Sequence, residues 1–150
     1  MPMVVDASAL AWLPEGGAPA GQIRVITPHP GEAARMLGVT TGAVQADRLG
    51  SLRELSRRFG NAWIVLKGLQ TLVGRNSGEV RVNSSGNPYL AQGGSGDVLS
   101  GFIAGLLTQS ALEADPLKTL AYAAWRHGAA ADRLQATRPN WVIEDLVEAL

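Results

Sequence analysis

The chain has 150 residues, of which 46% are hydrophobic and 17% are charged, as in an ordinary globular protein. Its 13 basic residues balance 13 acidic residues, so no net field would attract nucleic acid or an anionic membrane surface. It has no cysteine, which excludes disulfides, thiolate metal ligands and a cysteine nucleophile.

The sequence gives no sign of a targeting or membrane-spanning segment. Residues 1–13 lack a basic region ahead of an apolar run, so they do not resemble a signal peptide. The longest nearly apolar stretch, residues 98–107, is about half as long as a membrane span. We therefore expect a cytoplasmic protein that acts on small molecules, with neither nucleic acid nor a membrane as its partner.

Short apolar segments alternate with longer segments of helical periodicity, which predicts a layered α/β structure for residues 1–150 as a single domain. Buried strands are predicted at residues 3–5 and 23–26, and they end at Asp6 and Thr27. Ligands of open α/β sheets gather beyond the carboxyl ends of strands, so a site is expected there. Pro28-His29-Pro30-Gly31-Glu32 then predicts a turn and a helix that ends at Gly38.

The middle of the chain continues the alternation. Leu49, Leu52, Leu55 and Phe59 have helical spacing and predict a second helix. A buried strand at residues 63–66 ends at Lys67, and residues 70–74 and 79–83 predict a hairpin.

Three helices are predicted after the hairpin. The first covers about residues 98–109, the second contains the small and apolar positions between 117 and 131, and the third follows Asn140 as its N-cap. His127, within the second of these helices, is interpreted as a packing residue. The tryptophans are predicted to serve the core: Trp12, Trp63, Trp125 and Trp141.

The most informative motif is the glycine-dense turn Gly93-Gly94-Ser95-Gly96-Asp97, which leads directly into an apolar stretch. Glycines allow close approach to a ligand, and the first amides of a helix have no intrahelical acceptor, so such a turn can bind phosphate. The motif fits neither a Walker loop nor a Rossmann loop. An ionised Asp97 could accept a proton from a hydroxyl that attacks a phosphoryl group. Alternatively, Asp97 only caps the helix and the glycines serve close packing.

Four motifs occur in one order: Thr27-Pro28-His29-Pro30-Gly31-Glu32, Val65-Leu66-Lys67-Gly68 with Thr71, Asn83 with Gly86-Asn87-Pro88, and Gly93-Gly94-Ser95-Gly96-Asp97-Val98-Leu99-Ser100-Gly101. Together they resemble the ADP/ATP-dependent NAD(P)H-hydrate dehydratases, which belong to the ribokinase-like superfamily. The resemblance runs from about Val4 to Leu150 and implies a ribokinase-like layered α/β/α sheet.

This resemblance implies a metabolite-repair enzyme that acts on the hydrated form of NADH or NADPH. ADP or ATP, with Mg2+, would phosphorylate the hydroxyl of the hydrated ring, and loss of phosphate would then restore the reduced nicotinamide. The sequence leaves open whether ADP or ATP is preferred.

The same resemblance assigns roles residue by residue. It implies that Asp97 is the catalytic base and that the amides of Gly94, Ser95 and Gly96 form an anion hole. It implies that His29 and Asp97 contact the hydrated substrate, and it assigns no residue to a metal. It also implies a nucleotide site made of Lys67, Gly68, Leu69, Gln70, Thr71 and Gly96.

Several of these residues also have ordinary structural explanations that do not depend on the resemblance to the family. Lys67 could be a solvated strand terminus, and His29 could be a turn residue bonded to nearby backbone. Glu32 is typical of an acid that stabilises a helix dipole. Asn83, Gly86 and Asn87 could order a loop over the nucleotide or simply form a turn.

The resemblance covers only the carboxyl-terminal part of the family's domain. We therefore expect an incomplete sheet with an exposed strand edge that needs a partner, and a homo-oligomer. Two other functions stay open: a different ribokinase-like kinase, of the type that phosphorylates vitamin precursors, and a truncated nucleotide-binding module without catalytic activity.

Overall fold

Five short strands form one sheet in this computed structural model, which describes residues 1–17, 19 and 21–150. The order of the strands across the sheet is their order along the chain: β1 (Met3–Val5), β2 (Arg24–Ile26), β3 (Trp63–Leu66), β4 (Leu72–Gly74) and β5 (Arg81–Val82). The first three strands are parallel, whereas β4 pairs antiparallel with both β3 and β5. The carboxyl ends of β1, β2 and β3 therefore meet at one edge, where Asp6, Thr27 and Lys67 follow them.

Helices cover both faces of the sheet, because alternate strand residues point to opposite sides. Ile64 and Leu66 pack in one apolar cluster with residues of α1 (Pro30–Leu37), α2 (Thr41–Ala46) and α3 (Arg48–Arg58). Val65 and Val73 pack in a second cluster with α4 (Ser95–Leu107) and α6 (Pro116–Thr137). α5 (Ser110–Glu113) follows α4, and α7 (Ile143–Ala149) packs against α6. The predicted layered α/β/α fold is confirmed.

The sequence predicted most of these elements but missed some short ones. The helix expected to end at Gly38 does so, since Gly38 is its C-cap at φ 72°. The predicted hairpin is present as β4 and β5. The elements missed were α2, α5 and two 3-10 helices, at Ala7–Trp12 and Pro88–Ala91, each of six residues or fewer and thus too short to show clear periodicity.

Helix α4 begins at Ser95, three residues earlier than predicted, so that Ser95, Gly96 and Asp97 form its first turn. The cause is Gly94, whose left-handed φ of 90° turns the chain directly into the helix. Gly94 is the N-cap, and Asp97 is the third helical residue. The alternative in which Asp97 is itself the cap is therefore not what the structure shows.

Two further predictions were wrong. The N-cap of α7 is Val142 and not Asn140, and the Asp145 carboxylate accepts a hydrogen bond from the Val142 amide. Trp141 is buried, but Trp12 is 86% exposed and Trp125 is 50% exposed. Trp12 ends a 3-10 helix whose single buried residue is Leu10, and Trp125 lies beside Tyr122 on the exposed side of α6. Aromatic content alone does not show which face of a helix is buried.

Within the residues that the structure describes, no helix has both the length and the apolar character needed to cross a membrane.

Candidate functional site

A cleft of about 800 Å³ opens beside the carboxyl ends of β1 and β3. It is bounded by the loop after each of these strands, by the first turn of α4 and by the side of α6. The cleft brings together every residue predicted for the site: His29, Lys67, Gly68, Leu69, Gln70, Thr71, Gly94, Ser95, Gly96 and Asp97.

Lys67 extends into this cleft with its charge paired. Its Nζ donates a hydrogen bond to Asp6 Oδ1 at 2.7 Å, and the Ser100 hydroxyl donates to Asp6 Oδ2 at 2.6 Å. Burial raises the pKa of Asp6, but the hydrogen bonds from Lys67 and Ser100 outweigh burial and hold the pKa below its usual range. With a side chain only 18% exposed, Lys67 is not a solvated strand terminus.

The same ammonium group lies next to the first turn of α4. A Cβ atom on Gly96 would come within 3.1 Å of Lys67 Nζ. Glu32 is farther from the ammonium, with its Oε2 4.0 Å from Lys67 Nζ. A positive charge therefore stands beside the positive end of a helix dipole, which favours an anion between them.

The amides at the start of α4 are largely free of protein acceptors. The Ser95 amide donates to the Gln92 carbonyl at a long 3.4 Å, and the Val98 amide donates to the Gly94 carbonyl. Among the described residues, the amides of Gly94, Gly96 and Asp97 have no hydrogen-bond acceptor. The sequence predicted Gly94, Ser95 and Gly96 as the donors; in the structure the Ser95 amide has the Gln92 carbonyl as its acceptor, and the amide of Asp97 joins those of Gly94 and Gly96.

The Asp97 carboxylate is exposed at the wall of the cleft. In the part of the chain that the structure describes, it takes part in no side-chain hydrogen bond or ion pair. A carboxylate with no internal partner can accept a proton from a bound reactant, provided that the reactant comes within hydrogen-bond distance.

His29 is the N-cap of α1 and also borders the cleft. Its Nδ1 accepts hydrogen bonds from the amides of Gly31 and Glu32, at 3.0 and 3.3 Å, and the Glu32 carboxylate accepts one from the His29 amide at 2.8 Å. Because Nδ1 is an acceptor, the ring hydrogen is on Nε2. The structural explanation of His29 is thus correct, and the cap also fixes the orientation of the ring toward the cleft.

A loop of residues 83–88 forms another wall of the cleft. The Asn83 side-chain amide donates to the carbonyl of Ala124, and the Ser85 hydroxyl donates to the carbonyl of Trp125. Both acceptors belong to α6. Asn83 therefore fastens the loop to a neighbouring helix as well as shaping a turn.

Sequence reasoning missed two polar residues that support this site. Ser100 lies one helical turn after Gly96, so the helical spacing could have placed it on the same side of α4, where it donates to Asp6. Arg48 donates to the carbonyls of Leu66 and Lys67 and thereby supports the end of β3, and burial lowers its pKa. No local motif marks this arginine, since its partners lie 18 and 19 residues away.

Comparison with known proteins gives one consistent result. A family described as NAD(P)H-hydrate dehydratase matches residues 1–149. An ADP-dependent (S)-NAD(P)H-hydrate dehydratase from Neisseria meningitidis is 47% identical over an aligned length of 137 residues, and the match covers 87% of this chain and 45% of that protein.

Solved structures agree with this match. An ADP/ATP-dependent NAD(P)H-hydrate dehydratase from Bacillus subtilis, crystallised with ATP and Mg2+, is 32% identical with a TM-score of 0.85, over 99% of this chain and 52% of that one. A ribokinase-like superfamily protein from Enterococcus faecalis is 28% identical with a TM-score of 0.76, over 98% of this chain and 50% of that one. The chain thus spans about half the length of these proteins.

Proposed function

Because the chain belongs to the NAD(P)H-hydrate dehydratase family, we propose that it takes part in the nucleotide-dependent dehydration of hydrated NADH or NADPH. The observation that carries this proposal is the meeting of three features in one cleft: acceptor-free amides at the start of α4, the Lys67 ammonium group and the exposed Asp97 carboxylate. A phosphoryl-transfer site needs the first two for the phosphate and the third for the attacking hydroxyl.

In the proposed reaction, Asp97 takes the proton from the hydroxyl of the hydrated ring while the hydroxyl oxygen bonds to the terminal phosphorus of the nucleotide. The nucleotide leaves with one phosphate fewer. The amides of Gly94, Gly96 and Asp97 bind the transferred phosphoryl group, and one such donor lowers the barrier by about 3 kcal/mol. Lys67, beside Gly96, adds a positive charge for the phosphates.

Elimination then restores the ring. Hydroxide is a poor leaving group, but phosphate is a good one. The lone pair of the ring nitrogen can therefore expel phosphate, which leaves with the electron pair of the broken carbon–oxygen bond. Loss of a proton from the neighbouring ring carbon completes the double bond. Phosphorylation thus converts a difficult dehydration into an easy elimination.

The donor groups of the cleft fit Mg2+ that arrives with the nucleotide. The described residues contain no cluster of three or more His, Asp or Glu side chains able to hold a metal ion. Of the cleft carboxylates, Asp6 is paired with Lys67, Glu32 accepts from the His29 amide, and Asp97 is the proposed base, so no side chain is assigned to the metal. Mg2+ would be held by phosphate oxygens and water, and it would neutralise charge on the phosphates.

The proposed nucleotide site consists of Lys67, Gly68, Leu69, Gln70, Thr71 and Gly96, and the proposed substrate contacts are His29 and Asp97. All of them line the cleft. The Neisseria relative is named for ADP, and the Bacillus enzyme for both nucleotides, so both ADP and ATP should be assayed.

The test is an assay of the purified chain with hydrated NADH, ADP or ATP, and Mg2+. Return of the absorbance of reduced nicotinamide together with free inorganic phosphate supports the dehydratase. A phosphorylated product that persists would identify a small-molecule kinase instead. Nucleotide binding without any turnover would favour a non-catalytic binding module.

Asp97→Asn tests the proposed base directly. We expect loss of turnover by a factor of about 100 or more, because general-base catalysis contributes about 10²–10⁴-fold, with nucleotide affinity retained. Glu148→Gln is the matched control, since it also removes one exposed carboxylate and lies outside the cleft. Turnover of Asp97→Asn at the rate of the parent protein would show that Asp97 is structural.

A cytoplasmic location and a homo-oligomer stay predictions. The location is supported by the proposed substrates, which are soluble nicotinamide cofactors. Sedimentation velocity of the purified chain would establish its state of assembly.

A further inference from the structure

The middle of α6 contacts two walls of the cleft at once. On one side, Asp132 accepts hydrogen bonds from the loop of residues 83–88. On the other side, five residues earlier, His127 faces the first turn of α4. The proposed reaction uses neither side chain directly, so their positions require a separate explanation.

Asp132 holds the turn at Gly86 with both of its carboxylate oxygens. The Gly86 amide donates to Oδ2 at 2.8 Å, and the Asn87 side-chain amide donates to Oδ1 at 2.9 Å. Gly86 has a φ of 104°, a conformation that glycine adopts without strain, and the hydrogen bonds to Asp132 fix the turn that this φ allows. Both bonds extend from the helix to the loop, 45 and 46 residues away in sequence, so they serve the loop.

His127 holds the start of α4 in a similar way. Its ring is buried, and Nε2 lies 3.1 Å from the carbonyl oxygen of Ser95. A carbonyl oxygen can only accept, so the hydrogen of the ring is on Nε2. The Ser95 carbonyl and the free Gly96 amide share one planar peptide unit, so fixing this carbonyl fixes the direction of the Gly96 amide.

We propose that Asp132 and His127 are positioning residues with separate tasks: Asp132 orders the loop of residues 83–88 for nucleotide binding, and His127 orients the first turn of α4 for phosphoryl transfer. The assignment of these tasks rests on the proposed function. If the tasks are separate, variants of the two residues differ in which kinetic constant they change, although both residues lie on one helix.

Asp132→Asn keeps the shape of the side chain but replaces one carboxylate oxygen with an NH2 group. This group would face one of the two N–H donors of the loop, the Gly86 amide or the Asn87 side chain. We expect the KM and the Kd for the nucleotide to rise roughly tenfold, with kcat within about twofold of the parent value. Glu148→Gln, which makes the same change of charge on α7, should leave both constants unchanged.

His127→Leu fills a similar space but cannot donate to Ser95. We expect kcat to fall roughly tenfold with little change in nucleotide Kd. His127→Gln, whose amide can reach the same carbonyl, should recover part of the loss. Recovery by Gln separates a positioning role from simple filling of the core.

Hydrogen exchange on the ligand-free chain provides a readout that needs no activity. Asp132→Asn should accelerate exchange in residues 83–88, and His127→Leu should accelerate it in residues 94–99, each without affecting the other segment. If the parent chain shows no turnover, the proposed function fails. The exchange pattern and the nucleotide Kd still test the positioning roles of Asp132 and His127. Two results would overturn the proposal. One is hydrogen exchange that stays unchanged in both variants, and the other is a fall in kcat together with a rise in KM in each of the two variants.

Discussion

Lys67 enters the cleft already bound to a partner, and this pairing controls where its charge lies. A lone lysine has many rotamers, whereas this ammonium is held 2.7 Å from Asp6, whose other oxygen accepts from Ser100. The Thr27 hydroxyl lies 3.3 Å from Ser100 Oγ and extends the network to β2. Three strand ends and one helix therefore contribute to the position of a single positive charge.

Acid should weaken this network in a defined pH range. The folded-state pKa of Asp6 is below its usual 3.8, so its contribution to stability is complete well above pH 3.8 and is lost as the pH falls through 3.8 toward the lowered value. We expect the difference in free energy of unfolding between the parent and Asp6→Asn to be constant near pH 6 and to shrink below about pH 4. Urea titrations at several pH values measure this difference in free energy of unfolding. A difference that does not change with pH would contradict the lowered pKa of Asp6.

His127 shows how burial decides the state of a titratable group. Burial lowers the pKa of its ring, the hydrogen bond to the Ser95 carbonyl opposes this effect, and the nearby Lys67 charge adds to it. The net result is a lowered pKa. The neutral ring therefore persists to a lower pH than that of an exposed histidine, and it retains the Nε2 hydrogen for Ser95.

Among the elements, α4 and α6 shape the cleft because each approaches a loop closely. Gly128 of α6 lies directly against Ser85: a Cβ atom at position 128 would be 2.4 Å from the Ser85 hydroxyl and 2.7 Å from its carbonyl atoms. Backbone atoms cannot move aside as a flexible side chain can. The absence of a side chain at this position is what allows the loop of residues 83–88 to lie on the helix.

Gly128→Ala should therefore displace the loop. We expect nucleotide Kd to rise roughly tenfold or more, since the clash is with backbone, although alanine favours the helix by about 1 kcal/mol. Gly105→Ala is the matched control, because it lies on α4 with open space around it, and it should stabilise the protein slightly without changing Kd. Calorimetric titration with ADP or ATP measures Kd, and equal affinities in the two variants would refute this account of Gly128.

The chain has an apolar core on each side of one sheet. Leu55 of α3 packs on one side and Ile103 of α4 on the other, and both are fully buried. Ile64 and Val65, adjacent in β3, contribute to opposite cores. Because a single strand belongs to both cores, we propose that residues 1–150 form one domain that unfolds as one unit.

Leu55→Ala and Ile103→Ala test this cooperativity. Each should lower the free energy of unfolding by about 2–5 kcal/mol, through lost burial and the cavity left behind. In both variants, tryptophan fluorescence and circular dichroism should report the same single transition. Val147→Ala, at an exposed position, should have little effect. Two transitions, each shifted by only one of the core variants, would show that the layers unfold separately.

Sequence patterns were sufficient where the physical cause is local. Pro30 and Gly38 set the limits of α1, the continuous apolar run of β3 predicted a strand buried on both faces, and the succession of such segments predicted the layers. The motif at residues 93–97 identified the cleft, because acceptor-free amides at a helix start follow from chain geometry alone. Even the family followed from four short motifs in one order.

Groups that lie far apart in the sequence meet only through the packing of the helices on the sheet. The pairs Asp6 with Lys67, Ser85 with Trp125 and Asp132 with Gly86 join segments 40 to 61 residues apart, and no periodicity encodes them. The same is true of His127, whose place in a helix suggested packing until its contact with Ser95 was known. Hydrogen bonds require positions accurate to a few tenths of an ångström, and such positions depend on how complete helices pack against the sheet.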